Sequence, residues 1–192
     1  MMAAFGKVAA IAATFFLLWM MRTSLPTYDE VTGPIPVAAA AGTDATADNL
    51  AIDAGAPRLA KKIQFKAFGR VQELDTDGVW MVIPIRLQAQ RESTTVRGAT
   101  WQASDGRNYA ASLRAENAEA NLLGKSLQPG LKRSNLLVFE MPEDAAREGV
   151  LLLSEQAFPR LTAQLRLAYT KPPAAAPLPL LDLDMEGFHG SR

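Results

Sequence analysis

The sequence contains no cysteine, and its single histidine, His189, lies near the carboxyl terminus. Without cysteine the chain cannot form disulfides, thiolate metal sites, a lipid-modified cysteine or a cysteine nucleophile. A lone histidine in a polar tail is typical of a solvated residue, so we assign it no catalytic or metal-binding role. The sequence therefore predicts no catalytic residues, no metal site and no cofactor.

The chain also lacks net charge, because 20 Lys and Arg balance 20 Asp and Glu. No overall field favours nucleic acid, and no nucleic-acid-binding motif is present, so we predict no such partner. The balance is uneven along the chain. Residues 59–171 carry 16 basic and 12 acidic side chains, whereas residues 23–57 carry five acidic side chains and no basic one.

A long apolar run occupies the amino terminus, where residues 3–21 contain one charge, Lys7. Nineteen helical residues rise about 28 Å, close to the bilayer's hydrocarbon thickness of about 30 Å. No small-residue cleavage site follows the run closely, so we favour an uncleaved transmembrane anchor over residues 1–22, with a cleaved signal peptide as the alternative. The residues expected in the bilayer are Val8, Ile11, Phe15, Phe16, Leu17, Leu18 and Trp19.

The charges that flank this run favour a cytoplasmic amino terminus, because the chain turns acidic at Asp29 and Glu30 soon after Arg22. We therefore expect a single-pass protein of the inner (cytoplasmic) membrane. Its carboxyl-terminal domain would be periplasmic or extracellular.

Two stretches rich in Pro and Ala flank the middle of the chain. Residues 23–58 contain four prolines and few large apolar side chains, which predicts a disordered tether. Residues 172–192 mix large apolar residues with three acids behind a Pro-rich spacer, a composition that often docks into a partner's groove. The alternatives are an unstructured terminus or a tail that folds back on its own domain. The tail residues expected to bind a partner are Leu178, Leu180, Leu181, Leu183, Met185 and Phe188.

Residues 59–171 alternate apolar and polar side chains in short runs, which predicts strands. In the first run Ile63, Phe65 and Ala67 share one face. Asp105-Gly106 indicates a hairpin turn, and Pro84 indicates an edge strand or a bulge. We predict an all-β, immunoglobulin-like antiparallel sandwich of about seven strands. The runs are 63–67, 79–87, 94–103, one around Tyr109 and Leu113, 135–141, 150–154 and 162–169.

Several of these residues also carry a resemblance to a known family. The residues concerned are Trp101, 104–109 (Ser-Asp-Gly-Arg-Asn-Tyr), 129–130 (Pro-Gly), 137–144 and 151–153. They resemble a bacterial family of extracytoplasmic immunoglobulin-like domains of unknown function, which is similar to small secreted mycobacterial antigens. The resemblance covers roughly residues 60–170. It implies the fold and a membrane- or lipid-anchored location, but no particular activity.

Three polar clusters have an ordinary structural interpretation. Residues 75–78 (Asp-Thr-Asp-Gly) lack the further ligands of a calcium loop and read as a turn. We expect Glu116 and Glu119 to lie on a solvent-exposed helix face rather than to form an acid–base pair. The remaining cluster reads as surface charge, with contact to anionic lipid as the alternative; its members are Lys61, Lys62, Lys66, Arg70, Lys132 and Arg133.

Together these features predict a non-catalytic, membrane-tethered protein-interaction module, an accessory subunit of a membrane protein complex in the bacterial envelope. The expected partners are the lipid bilayer and another envelope or integral membrane protein. The alternative is an envelope domain that binds or senses a small ligand. An enzyme ranks third, because no catalytic constellation is recognisable.

Overall fold

The chain divides into two units, residues 1–33 and residues 34–192. The computed structural model describes residues 2–25, 31–170 and 176–184, and in the first helix it describes side chains from Ile11 onward. That helix, α1, spans Met2–Ser24. Within the described residues, no helix contains an 18-residue stretch that is apolar enough to cross a membrane.

The second unit consists mainly of strands, with one 3-10 turn at Leu113–Ala115. The strands are β1 (Ile35–Ala40), β2 (Ala45–Ala47), β3 (Leu50–Ala54), β4 (Arg58–Ala67), β5 (Arg70–Ala89), β6 (Thr94–Thr95), β7 (Gly98–Ala103), β8 (Asn108–Ala110), β9 (Ser126–Leu127), β10 (Arg133–Met141), β11 (Gly149–Ser154), β12 (Ala163–Tyr169) and β13 (Leu181–Asp182). The first large sheet has the order β1, β12, β11, β7, β8. The second has the order β13, β4, β5, β3, β2, and its strand β5 also pairs with β10. Strands β6 and β9 form a separate pair.

One large core, the sandwich core, joins the inner faces of the two sheets. Along β5 the odd-numbered residues from Val79 to Ala89 are buried in it, as the two-residue period of a strand requires. Trp101 is fully buried, donates from Nε1 to the Ala145 carbonyl at 2.8 Å, and packs on Tyr169. A Cβ at Gly149 would lie 2.7 Å from the Trp101 ring, so this contact requires glycine. The prediction of an all-β sandwich is confirmed. The described residues form thirteen strands rather than about seven, in part because β1, β2, β3 and β13 come from the predicted tether and tail.

The tether predicted over residues 23–58 is wrong for residues 35–54, which form β1, β2 and β3. Leu50, Ile52 and Ala54 are buried in the sandwich core, opposite the carboxyl-terminal end of β5. β1 adds in parallel to β12, with Ile35 opposite Ala163. Alanines supply much of the apolar surface in this region, and their small side chains gave a weak hydrophobic signal in the sequence.

Pro84 lies in a central strand, since β5 pairs with β10 on one side and with β3 and β4 on the other. The edge interpretation is therefore wrong, and the bulge interpretation fits. β3 and β4 lie in succession along the same side of β5, and residues 55–57 interrupt their pairing opposite Pro84. Gly55 N donates to the Pro84 carbonyl at 2.8 Å, so the polar backbone atoms of Pro84 face this interruption. Pro84 has no N–H to donate, and because no strand pairs with it on that side, no ladder hydrogen bond is lost.

A second, smaller core, the outer core, covers part of the other face of the second sheet. Trp80, Val82, Leu136 and Val138 lie beneath a cover formed by residues 112–122 and by the tail. In the tail, β13 pairs in parallel with β4, and two backbone hydrogen bonds of 2.8 Å join Leu178 to β4.

The tail thus folds back on its own domain. Leu181 and Leu183 are 3% and 1% exposed. Because both are buried in the protein's own outer core, the prediction that they bind a partner is wrong. The apolar–acidic alternation is a strand pattern: the leucines face the core, while the Asp182 carboxylate accepts from Gln64 and the Asp184 carboxylate from the Lys66 amide. Leu178 and Leu180 are about 40% exposed. Met185 and Phe188 lie outside the described residues.

Candidate functional site

The polar clusters singled out in the sequence lie on the surface and do not converge. Glu116 and Glu119 are exposed. Residues 75–78 belong to β5, so the turn expected there is wrong. Asp105 and Gly106 form the β7–β8 turn, with Gly106 at φ +86°. Among the described residues no group of three potential metal ligands is close enough to hold an ion.

Arg107 ties this turn to a neighbouring loop. Its guanidinium donates to Asp105 at 2.6 Å and to Asp144 at 2.7 Å. Hydrogen bonds from Arg107, from its backbone and side chain to Asp105 and from its side chain to Asp144, hold the pKa of each carboxyl below its usual range. All three side chains are solvent-exposed, so we interpret them as a surface clamp on the turn.

The apolar side chains of α1 are exposed. From Phe15 to Met21 every residue is a large apolar one, and each is more than half exposed, as is Ile11. Because seven consecutive helical residues cover nearly two turns, the apolar surface extends around the whole helix. Of the residues predicted to form the anchor, only Val8 lies outside the described side chains.

A polar groove of about 230 Å³ lies on the outer face of the second sheet, beside the outer core. Alternate residues of β3 and β5 line it, and Asp53 faces Arg86 with an Oδ2–Nη1 distance of 4.0 Å. Because acidic and basic side chains both line it, the groove suits a polar ligand or polypeptide that carries both charges. Its charged lining residues are Asp44, Asp53, Arg86 and Lys132.

This groove is not recognisable in the sequence, because its residues come from distant segments, including one assigned to the tether. The only available signal was the polar alternation Arg86, Gln88, Gln90, which marks one solvent-facing side of β5.

Four connecting segments share the end of the sandwich at which the chain enters β1, and we call this end the entry face. They are residues 48–49, 90–97, 124–132 and 155–162, which backbone hydrogen bonds and strand pairs place side by side. Ile35 N donates to the Thr162 carbonyl at 2.9 Å, which fixes the point of entry. Phe158 and Leu161 project into solvent here and are 88% and 63% exposed.

The charges at the two ends of the sandwich differ in sign. The entry face carries five basic and three acidic residues. The opposite end, formed by residues 104–107 and 142–148, carries two basic and four acidic residues. The sandwich therefore presents a basic, partly apolar end and an acidic end.

A small cavity of about 50 Å³ lies behind the 155–162 loop, between the two sheets. The Glu155 Oε1 and Thr162 Oγ1 atoms are buried without a hydrogen-bond partner among the described residues, and both residues line the cavity. A space of this size and polarity suits a few water molecules rather than an organic ligand.

Comparison with known proteins gives the fold. The chain is similar to MPT63, a secreted protein from Mycobacterium tuberculosis, with 14% identity, a TM-score of 0.52 and coverage of 70% of this chain and 98% of that one. It is also similar to the yjhA protein from Bacillus subtilis, with 13% identity, a TM-score of 0.51 and coverage of 67% and 98%. No family model and no curated protein matches the sequence.

At these identities the likeness shows the fold alone. The expected similarity to a small secreted mycobacterial protein is confirmed at that level. An uncharacterized β-sandwich protein from Clostridium difficile also matches, with 11% identity, a TM-score of 0.49 and coverage of 76% and 100%, but that score is too low to support an argument.

Proposed function

We propose that the chain is a non-catalytic interaction module, attached to a membrane by its N-terminal segment and acting as an accessory subunit of an envelope membrane complex. The observation that carries the proposal is the exposed apolar surface around α1. Large contiguous apolar surfaces on soluble proteins mark interaction with another apolar phase, and a helix that is apolar on all sides fits lipid better than a groove. Similarity to a secreted sandwich supports an exported domain.

The polar groove is the surface that we assign to the protein partner. The groove lies on the outer face of the second sheet. Residues 112–122 and the tail cover the neighbouring area of that face, whereas the groove stays open to solvent. Non-obligate protein interfaces have polar, charged rims of this kind, and complementary charges select the partner.

Membrane attachment is tested by extracting membranes from cells that express the full chain. We expect the chain to stay with the membranes in alkaline carbonate, and a Leu17→Lys, Leu18→Lys double variant to be released because two charges replace apolar contacts with lipid. Leu113→Lys is the control, since Leu113 is at least as exposed as these leucines but lies in the second unit and outside the entry face. A soluble product whose mass lacks the first residues would contradict the proposal and favour a cleaved signal peptide.

The partner surface is tested by purifying the full chain in mild detergent with whatever protein accompanies it. We expect Lys132→Glu, in the groove, to lose that protein. Lys66→Glu, which changes another exposed lysine, on β4, should retain it. Equal retention by both variants would remove the groove from the proposal.

The groove's volume also favours a second candidate function, capture of a small ligand that carries both charges. A ligand that binds only the folded state raises the midpoint of thermal unfolding. We expect amino acids or short peptides to raise this midpoint for the wild-type chain but not for Asp53→Asn. If none of them does so, small-ligand binding is rejected.

A further inference from the structure

We infer that the entry face of the sandwich lies against an anionic bilayer surface, with Phe158 and Leu161 reaching into the headgroup region. This inference rests on the proposed membrane attachment and adds to it an orientation of the domain and a set of lipid contacts. It concerns residues that are far from α1 in the sequence and that the anchor prediction did not include.

Chain connectivity supplies the first argument. The hydrogen bond between Ile35 and Thr162 fixes the place where the chain enters the sandwich, and this place adjoins the 155–162 loop. Ten residues separate the end of α1 at Ser24 from Ile35. Even a fully extended chain of that length reaches only about 40 Å, so a membrane-attached α1 keeps this end of the domain near the bilayer.

The exposed apolar side chains supply the second argument. Phe158 is 88% exposed and Leu161 is 63% exposed, and the sandwich core contains neither of them. Leu161 has a φ of +52°, a conformation that is sterically costly for a branched apolar side chain and that glycine or asparagine adopts more easily. Neither side chain contributes to the sandwich core, and both are of the apolar kind that a loop inserted into the headgroup region presents to lipid.

Charge supplies the third argument. The entry face carries two excess positive charges and the opposite end two excess negative charges. An anionic bilayer attracts Lys and Arg near its surface by about 1 kcal/mol each and repels acidic residues, within roughly 10 Å at physiological salt. Arg97 and Arg160 are exposed and have no ion-pair partner among the described residues, so both are available to lipid headgroups.

The absence of cysteine makes a direct test possible, because one introduced cysteine can carry a fluorescent label without interference. The full chain is labelled at Phe158→Cys or at Phe68→Cys and reconstituted into vesicles of phosphatidylcholine and phosphatidylglycerol that contain a lipid-borne quencher. Phe68 is a matched control. It is 85% exposed and has a φ of +52°, but it lies at the β4–β5 turn, before the start of β5, whereas the entry face lies beyond the end of β5.

We expect the quencher to reduce emission from the label at position 158 and to leave the label at 68 nearly unaffected. Replacing phosphatidylglycerol with phosphatidylcholine, or adding Arg160→Glu, should weaken the quenching at 158. Arg70→Glu, an exposed arginine beside the control site, should not change it. These results would support an anionic lipid surface as the occupant of the entry face.

Vesicle flotation of the same samples separates this inference from the proposed function. If the chain does not float with the vesicles, membrane attachment is wrong and this inference is wrong with it. If the chain floats but the label at 158 is quenched no more than the label at 68, the attachment holds and the orientation is overturned. Stronger quenching at 68 would likewise overturn it.

Discussion

The two cores of the second unit are closed in different ways. The sandwich core lies between two sheets whose strands are mostly antiparallel and up to 20 residues long. The outer core is closed by a loop region and by β13, a two-residue strand in parallel pairing. Trp101, in the first, donates a hydrogen bond, whereas Trp80, in the second, has no hydrogen-bond partner for Nε1 among the described residues.

This difference indicates that the two cores contribute differently to the stability of the domain. We infer that the sandwich core holds the fold together, and we expect the outer core to open without loss of the sandwich. Arg114 reinforces the outer core: its guanidinium lies 5.1 Å from the centre of the Trp80 ring and donates to Glu140 at 2.7 Å. Four predictions test this difference.

The largest effect is expected for Trp101→Ala. The substitution leaves a large void between the sheets and an unpartnered Ala145 carbonyl, so it should lower the free energy of unfolding by about 5 kcal/mol. Urea unfolding followed by far-ultraviolet circular dichroism measures the loss. A decrease below about 2 kcal/mol would mean that the sandwich core is not the main source of stability.

The second prediction concerns removal of residues 172–192. Two buried leucines are lost, and the regained chain entropy offsets part of the cost, so we expect a loss of about 3 kcal/mol with the sandwich still folded. Hydrogen exchange should accelerate at the amides of Lys61 and Lys66, which donate to the tail. The amides of β11 should keep their protection.

Removal of residues 185–192 alone is the control for this truncation, since those residues lie beyond β13. It should leave both exchange and stability unchanged. Loss of protection throughout the sandwich in the longer truncation would show that the two cores are one cooperative unit.

The third prediction compares two matched substitutions. Trp101→Phe removes a buried hydrogen bond and Trp80→Phe does not, although both indoles are fully buried. The first should therefore cost about 1–2 kcal/mol more than the second in urea unfolding. Equal costs would imply that the Trp101 hydrogen bond contributes nothing net.

The smallest effect is expected for Tyr169, whose ring lies beside Trp101 and whose hydroxyl donates to the Gly55 carbonyl at 3.1 Å. Burial, and to a smaller extent the negative charge of Asp53, raise the pKa of this phenol in the folded state. Above pH 10 the Tyr169 phenol ionises in the unfolded chain but stays protonated in the folded chain. The stability present below pH 10 should thus fall as the pH rises, by about 1 kcal/mol at pH 11.

Tyr169→Phe should remove this part of the alkaline dependence, which is measured as the difference between the two chains in thermal unfolding at pH 9 and pH 11. Parallel pH dependence in both chains would show that Tyr169 is not the responsible group.

The sequence predicted elements whose side chains alternate strongly in size and polarity. Ile63, Phe65 and Ala67 share a buried face as expected, and Asp105-Gly106 forms the expected turn. β1, β2 and β3 were missed, because alanine-rich strands between prolines have the composition of a linker. Their burial depends on partners more than thirty residues away, such as β5, which local patterns do not reveal.

The candidate surfaces were harder to predict than the fold. The apolar residues of α1 were identified from their run in the sequence, but the groove and the entry face combine residues that only the sheet pairing brings together. Phe158 and Leu161 lie between two predicted strands, where a single exposed apolar residue in a loop is unremarkable until its neighbours in space are known.

The parallel pairing of β1 with β12 has a mechanical consequence. A pull on the chain before Ile35, directed away from the sandwich, runs along the length of β1 and loads its hydrogen bonds to β12 together, in shear. A strand pulled crosswise would instead peel away one bond at a time. A domain held in this way resists such a pull until these hydrogen bonds break together.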